Sequence, residues 1–253
     1  MNNETSKFKV AEKFISINGE AKRAGELSVF IRFTGCNLRC NYCDTLWACD
    51  KDAPGEYMTA EEIYEYIRES GVKNVTLTGG EPLLQKDIKS LLKLLEKDES
   101  LRVEIETNGA VPLEEYYREF KESISFTVDY KCPGSGMEKT MHLPDFEEIR
   151  ACDTVKFVVS DMADLDKMRY IIDRYSLCSK CTVYVSAVFG RIRPDEIVDY
   201  MIKNKMNDVR LQLQIHKYIW DPDKRGVWFF TFFERIEKWQ LIKKRYRNML
   251  EEF

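Results

Sequence analysis

Residues 27–45 read LSVFIRFTGCNLRCNYCDT. The first seven are apolar and β-branched enough to form a strand, and they run straight into a loop that holds Cys36, Cys40 and Cys43. The same order recurs along the chain. Chemically unusual residues follow other strand candidates in TGGEP (78–82), ETNG (106–109), DYKCPG (129–134), SAVFG (186–190) and QIHK (214–217). Strands are expected at 27–33, 74–78, 102–107, 124–129, 154–160, 182–188 and 208–214, after a β-like start at 8–17. Their apolar runs suit parallel strands buried on both faces.

Between these strands lie helical patterns. TAEEIYEYIRESG (59–71) carries Thr59 as N-cap, Glu62 to complete a capping box, Ile63, Tyr66 and Ile67 on one face, and Gly71 as the stop. Further helices are expected over 83–97, 164–175 and 193–204. Repeated βα units give a parallel sheet with right-handed crossovers, either doubly wound or an incomplete barrel. Chemistry gathered at the C-terminal ends of the strands favours the barrel. The expected fold is α/β: an incomplete (β/α) barrel of mostly parallel strands, with the active site at the C-terminal strand ends and a C-terminal amphipathic helix.

At 253 residues one domain is the default, here 1–227. In the tail, 228–253, Phe232, Ile236, Trp239, Ile242, Tyr246, Met249 and Phe253 recur at helical spacing around a basic KKRYR centre, as in a helix docked on its own barrel or on a second subunit. The chain has 39 basic and 43 acidic side chains, a net charge of −4, so no global field attracts nucleic acid or an anionic membrane. It lacks a signal-peptide pattern and any apolar run of the ~20 residues that span a bilayer. The expectation is a cytoplasmic protein without nucleic-acid or membrane partners. In that reducing compartment its eight cysteines read as metal ligands, catalytic thiols or packing residues rather than disulfides.

The spacing C-x3-C-x2-C lets three sulfurs turn toward one small inorganic object, either zinc or an iron–sulfur cluster. Structural zinc takes four ligands, and no second pair follows at zinc-finger distance. A cubane cluster takes one cysteine per iron, so three thiolates leave one iron with an open position for an amine and a carboxylate. On these residues the chain resembles the radical S-adenosylmethionine superfamily, in which the motif binds a 4Fe-4S cluster. The resemblance implies that Tyr42 lies along the adenine of S-adenosylmethionine, and that the GGE segment, with Gly80 and Glu81, holds the methionyl amine. It further implies that cofactor cleavage yields a 5′-deoxyadenosyl radical, which abstracts a hydrogen atom.

SINGE (16–20), Arg32, CDT (43–45) and WDPDKRGV (220–227) narrow the resemblance, over residues 10–227, to the 7-carboxy-7-deazaguanine synthases of queuosine and 7-deazapurine biosynthesis. Asn18 stands where that family commonly has Gln. The resemblance implies that 6-carboxy-5,6,7,8-tetrahydropterin contracts its ring and loses ammonia to give 7-carboxy-7-deazaguanine. Arg32 would fork onto the substrate carboxylate. The backbone of Ile17, Asn18 and Gly19, the side chains of Glu20 and Thr78, and His216 would read the pterin. Thr45 would ligate magnesium, with Asp44 beside it or on the cofactor ribose. Asp129 and Lys131, in DYK where the family commonly shows SPK, would contact the cofactor. A flavodoxin-type or ferredoxin-type electron donor and a homodimer are also implied.

Cys178 and Cys181 form a CSKC pair without a second pair nearby in sequence, and Cys49, Cys132 and Cys152 join a site only where the fold gathers them. Other functions compatible with parts of this pattern are a glycyl-radical activase and a non-catalytic iron–sulfur electron carrier.

Overall fold

The computed structural model describes residues 6–120 and 122–220. The tail at 228–253 and the KRGV segment therefore lie outside the described residues. The elements in chain order are β1 (Lys7–Ile17), β2 (Leu27–Phe33), β3 (Glu56–Thr59), α1 (Ala60–Ser70), β4 (Asn74–Gly79), α2 (Ile88–Glu96), β5 (Arg102–Thr107) and α3 (Glu114–Glu119). They continue with β6 (Ile124–Tyr130), α4 (Pro144–Glu147), β7 (Thr154–Val159), α5 (Met162–Tyr175), α6 (Leu177–Lys180), β8 (Thr182–Ala187), α7 (Pro194–Lys203), β9 (Val209–Leu211) and α8 (His216–Ile219). One sheet runs β3-β1-β2-β4-β5-β6-β7-β8-β9. From β2 to β9 every neighbouring pair is parallel, while β1 pairs antiparallel with both β2 and β3. The sheet stays open, with β3 and β9 as its edges, and is thus an incomplete barrel.

The parallel strands are not apolar on both faces. On β7, Val155, Phe157 and Val159 are buried in the hydrophobic core, whereas Thr154 and Lys156 alternate with them on the opposite face. The same division places Val29, Ile31 and Phe33 of β2, Val75 and Leu77 of β4, and Ile124, Phe126 and Val128 of β6 in the core. Ser28, Thr76, Glu104, Thr127 and Ser186 are buried polar residues of the other face. Burial of the apolar face supplies the main driving force for folding, and the polar face lines a barrel interior.

α1 forms as its capping box predicts: the Glu62 N–H donates to Thr59 Oγ1 at 3.2 Å, the Thr59 N–H donates to Glu62 Oε2 at 2.7 Å, and Gly71 closes the helix. α2 begins at Ile88 rather than at Leu83, because Pro82–Leu84 makes a separate 3-10 turn and Asp87 adopts a left-handed φ of 63°. The last parallel strand is three residues long instead of seven. Beyond it the chain turns to side-chain bonding: Gln212 Oε1 accepts from the Ala21 N–H at 2.7 Å, and Gln212 Nε2 donates to the Ala21 carbonyl at 3.1 Å. This latch, with the Ile215 N–H donating to the Gly19 carbonyl at 3.2 Å, spans the gap between the β9 end and the β1–β2 connection.

Phe33 and Gly79 end β2 and β4 in register, so the loops that follow run side by side. Gly79 takes φ of +142°, and a Cβ on it would lie 2.3 Å from the Phe33 carbonyl oxygen; one on Gly80 would lie 2.0 Å from that of Gly35. No other residue fits such an approach. Gly80→Ala is expected to cost about 1–3 kcal/mol by overpacking and to reduce the iron held after anaerobic reconstitution. Thermal denaturation with iron and sulfide analysis checks both, and an unchanged melting temperature with full iron content would show that the loops tolerate separation.

Candidate active site

The C-terminal strand ends surround a cavity of about 770 Å³. Its wall includes Cys36, Cys40 and Cys43, and every other residue that the resemblance assigned to cofactor, magnesium or substrate except Asn18 and Glu81. A second hollow, of about 620 Å³, opens on the outer surface beside Tyr64, Arg68 and Asp98, away from the strand ends.

The cysteine loop is held from several sides. The Gly80 N–H donates to the Phe33 carbonyl at 3.0 Å and the Glu81 N–H to that of Gly35 at 2.8 Å. Asn108, in the loop after β5, directs Nδ2 to Asn37 Oδ1 at 2.8 Å and toward Cys36 Sγ at 3.6 Å. The Asn41 N–H donates to the Ser135 carbonyl at 3.0 Å, docking the loop on the segment after β6. Among the described residues, no three His, Cys, Asp or Glu side chains converge to hold a single metal ion. The three thiols line one cavity, as a cluster that takes one thiolate per iron requires.

A fourth thiol lies nearby. Cys49 is 4% exposed and its Sγ is 3.8 Å from Cys43 Sγ; burial pushes its thiol up to about 12, with Cys43 adding to the shift. Cys132 is buried against the Asp164 carbonyl and Cys152 neighbours Asp153. Cys178 and Cys181 lie just before β8, at the end of the sheet opposite the cavity, and burial raises both thiols.

Tyr42 lines the cavity, and its hydroxyl donates to the Val158 carbonyl at 3.1 Å. Burial pushes its phenol far above the ordinary value, so it stays neutral. Thr45 precedes the short 3-10 turn Leu46–Ala48 but makes no side-chain capping bond there. Its hydroxyl lies 3.6 Å from Cys43 Sγ, and both Asp44 and Thr45 face the cavity.

Two of the residues singled out from the sequence lie behind the cavity wall. Glu81 is 0% exposed and turns its carboxylate away from the cavity wall. It accepts from the Leu83 N–H at 3.1 Å, the Thr107 hydroxyl at 2.9 Å and the Asn108 N–H at 2.7 Å. Three of its roughly four acceptor sites join two loops, which sets Glu81 behind Gly79 and Gly80. Asn18 is likewise inside the fold: its N–H donates to the Glu26 carbonyl, its carbonyl accepts from the Gly25 N–H, and its Oδ1 accepts from the Thr76 hydroxyl. Its backbone closes the β1–β2 connection and so presents Gly19 and Glu20 to the cavity. His216 packs on Gly19, where a Cβ would meet Nδ1 at 2.2 Å.

Other cavity residues emerge only from the fold. Glu12 stands directly opposite Arg32 in the β1–β2 ladder, just past a register shift, and its Oε1 accepts from Arg32 Nε at 2.7 Å. Phe14 and Phe30, the next such pair, stack with ring centroids 4.9 Å apart. Glu106, from ETNG, accepts from the Thr78 hydroxyl at 2.7 Å, and burial raises its carboxyl above the ordinary value. On the floor, Lys131 Nζ lies 2.7 Å from Asp129 Oδ2, and Lys156 Nζ lies 3.3 Å from Asp129 Oδ1 and 3.6 Å from Glu20 Oε2. Against the desolvation that burial imposes, these lysines hold the Asp129 carboxyl below its ordinary value. With Glu12, Glu20, Asp44, Glu106 and Asp129 facing Arg32, Lys131, Lys156 and Arg191, the cavity suits a ligand that carries both signs of charge.

The radical SAM superfamily pattern matches residues 30–133. A 7-carboxy-7-deazaguanine synthase from Clostridium acetobutylicum is 59% identical over 220 residues, which span 87% of this chain and 99% of that one. One from Chlorobaculum tepidum is 35% identical over 225 residues, covering 86% and 96%. Among solved structures, the crystal structure of QueE from Escherichia coli superposes with a TM-score of 0.63 at 20% identity, over 81% of this chain and 92% of that chain, and so has the same fold.

Burial lifts the Glu81 carboxyl to about 7, against the three donors that favour its charge. The folded protein therefore binds this proton more tightly than the unfolded one. The resulting stability is complete below about pH 4.5 and is lost as pH rises through about 7. Urea denaturation of wild type and Glu81→Gln across that range is expected to shift the difference in favour of the variant by about 3 kcal/mol. A difference that does not move with pH would show that Glu81 titrates as it does in the unfolded chain.

Proposed function

The chain belongs to the 7-carboxy-7-deazaguanine synthase family of radical S-adenosylmethionine enzymes, and on that premise we propose how its residues serve the family reaction. The protein is a lyase that converts 6-carboxy-5,6,7,8-tetrahydropterin to 7-carboxy-7-deazaguanine, with ring contraction and loss of ammonia. The observation that carries the residue assignments is that the three thiols and Arg32 line one cavity.

Cys36, Cys40 and Cys43 would hold the 4Fe-4S cluster, and the backbone of Gly79 and Gly80 would receive the amino-acid end of S-adenosylmethionine. Tyr42, Asp129 and Lys131 bound the remainder of that cofactor, with Asp44 near its ribose. When bound, the cluster and S-adenosylmethionine supply the hydrogen-atom abstraction that begins the reaction. The chain's own residues position the pterin and exclude water from it.

Arg32 spends its Nε edge on Glu12, which orients the guanidinium and leaves the terminal nitrogens to fork onto the pterin carboxylate. Glu20, Glu106, Thr78 and His216, with the backbone of Ile17 and Gly19, read the donor and acceptor edge of the ring. The Thr45 hydroxyl would hold a magnesium ion, which takes few protein ligands and would supply positive charge to the substrate oxygens. The protein works in the cytoplasm as a homodimer and takes its electron from a flavodoxin-type or ferredoxin-type donor. Among the described residues no helix is long and apolar enough to cross a membrane.

The deciding experiment is an anaerobic assay of reconstituted protein with S-adenosylmethionine, reductant, magnesium and 6-carboxytetrahydropterin, read by mass spectrometry. 7-Carboxy-7-deazaguanine is the expected product. Formation of 5′-deoxyadenosine without it would move the assignment to another substrate. In the same assay Arg32→Lys, which keeps the charge and loses the fork, is expected to raise KM for the pterin roughly tenfold with a smaller change in S-adenosylmethionine affinity. An unchanged KM would remove Arg32 from the substrate contact. Thr45→Ala is expected to raise the magnesium concentration needed for half-maximal rate, and activity indifferent to chelators would sink the magnesium assignment.

A further inference from the structure

One buried cation on the cavity floor has no part in the assignments above, yet it touches carboxylates that face both ligands. Lys156 projects inward from β7 and is 8% exposed. Its Nζ lies 3.3 Å from Asp129 Oδ1, which otherwise has no hydrogen-bond donor, and 3.6 Å from Glu20 Oε2. These carboxylates come from different parts of the fold, Asp129 from β6 and Glu20 from the β1–β2 connection. Glu106 adds its field from β5. Burial works against the ammonium, but Asp129, Glu20 and Glu106 together keep it charged.

Lys131 does not duplicate this role. It pairs with the other oxygen of Asp129 and lies within the field of Cys40, on the cluster side. The remaining contacts of Glu20 are neutral: the Ser186 hydroxyl donates at 3.3 Å and Gln214 Nε2 donates at 3.3 Å. Among the described residues, Lys156 is thus the cation that Glu20 touches. A side chain needed only to fill this volume would be apolar, since a buried ammonium requires paired carboxylates to persist.

We propose that Lys156 is a positioning residue for both halves of the site, holding Glu20 toward the pterin and Asp129 toward S-adenosylmethionine from a single nitrogen. The inference rests on the reaction assigned above for which ligand each carboxylate faces. A common anchor fixes the separation of the two carboxylates, and with it the relative placement of the two ligands. Hydrogen-atom transfer requires that placement to be tight.

The test compares wild type with Lys156→Met, Lys156→Arg, Asp129→Asn and the double variant Lys156→Met/Asp129→Asn, all reconstituted with the cluster. Equilibrium dialysis gives the S-adenosylmethionine Kd, and turnover gives KM and kcat for the carboxypterin. Lys156→Met is expected to weaken S-adenosylmethionine binding and raise the pterin KM by about tenfold or more each, with Lys156→Arg recovering most of both losses. Adding Asp129→Asn to Lys156→Met is expected to return the S-adenosylmethionine Kd to that of Asp129→Asn alone, while the pterin KM stays raised because Glu20 still lacks its cation.

Values for Lys156→Met within twofold of wild type, or a loss confined to one ligand, would overturn the shared anchor. Should Lys156→Met not fold, the double variant, which no longer buries the Asp129 charge, is compared with Asp129→Asn; equal pterin KM values overturn the proposal. If wild type binds S-adenosylmethionine but leaves the pterin unchanged, the reaction assignment fails. The dialysis of Lys156→Met against wild type still decides whether Lys156 supports the cofactor side.

Discussion

The contact on which the site depends is the approach of Gly79 and Gly80 to the backbone of Phe33 through Cys36. It is set by the register of two parallel strands and is too close for any Cβ. From it a chain of hydrogen bonds passes around the cavity mouth. The loop after β4 bonds to the loop after β2; Glu81, in the former, bonds to Thr107 and Asn108 after β5; and Asn108 returns to Asn37 and Cys36. Each loop is thereby located by its neighbour and not only by its own strand. That arrangement suits a cluster site, because three thiolates serve one inorganic core only while their relative positions are held.

The inner face of the sheet carries the buried polar residues Ser28, Thr76, Glu104, Thr127, Lys156 and Ser186, so the barrel derives its stability elsewhere. The outer face, from Val29, Ile31 and Phe33 through Val155, Phe157 and Val159, carries the apolar burial against the helices. Inside, buried charges such as Arg32 with Glu12, and Asp129 with Lys131 and Lys156, are paired with partners of opposite sign. Such pairs contribute little net stability relative to apolar packing, and removing one member is costly. Their value here lies in presenting oriented charge to a ligand.

Much of this was legible in the sequence. The three cysteines, Arg32, the paired glycines and the alternation of strands with capped helices each carry a local signal, and the fold gathers them where βα logic places them. What escaped was information held in register and facing. Glu12 is one charged residue of a β-like segment until the antiparallel ladder sets it opposite Arg32. Lys156 sits in TVKFVV, an apolar run that reads as buried on both faces, and only the sheet shows that its alternate positions line a cavity. Glu81 was visible, but its direction was not: the donors that turn it inward come from a loop 26 and 27 residues away. Cys49 gave no signal beyond its thiol, since its nearness to Cys43 depends on the tight turn at Leu46–Ala48.

An open barrel also divides its mouth into unequal halves. Around β2, β4, β5 and β6, strand ladders and loop-to-loop bonds continue one another, so the cluster side shares the stability of the core. Among the described residues no ladder forms between β9 and β1; the two bonds of Gln212 to Ala21, the Ile215 to Gly19 bond and the packing of His216 on Gly19 span the gap. Segments held by few bonds at a sheet edge open at lower free energy than the strands beside them. Of the residues assigned to the pterin, Gly19, Glu20 and His216 lie on or beside these spanning segments, whereas Arg32, Thr78 and Glu106 lie on β2, β4 and β5. The pterin would thus be held between a part of the mouth that shares the stability of the core and a part that does not, an asymmetry that follows from the sheet having two edges.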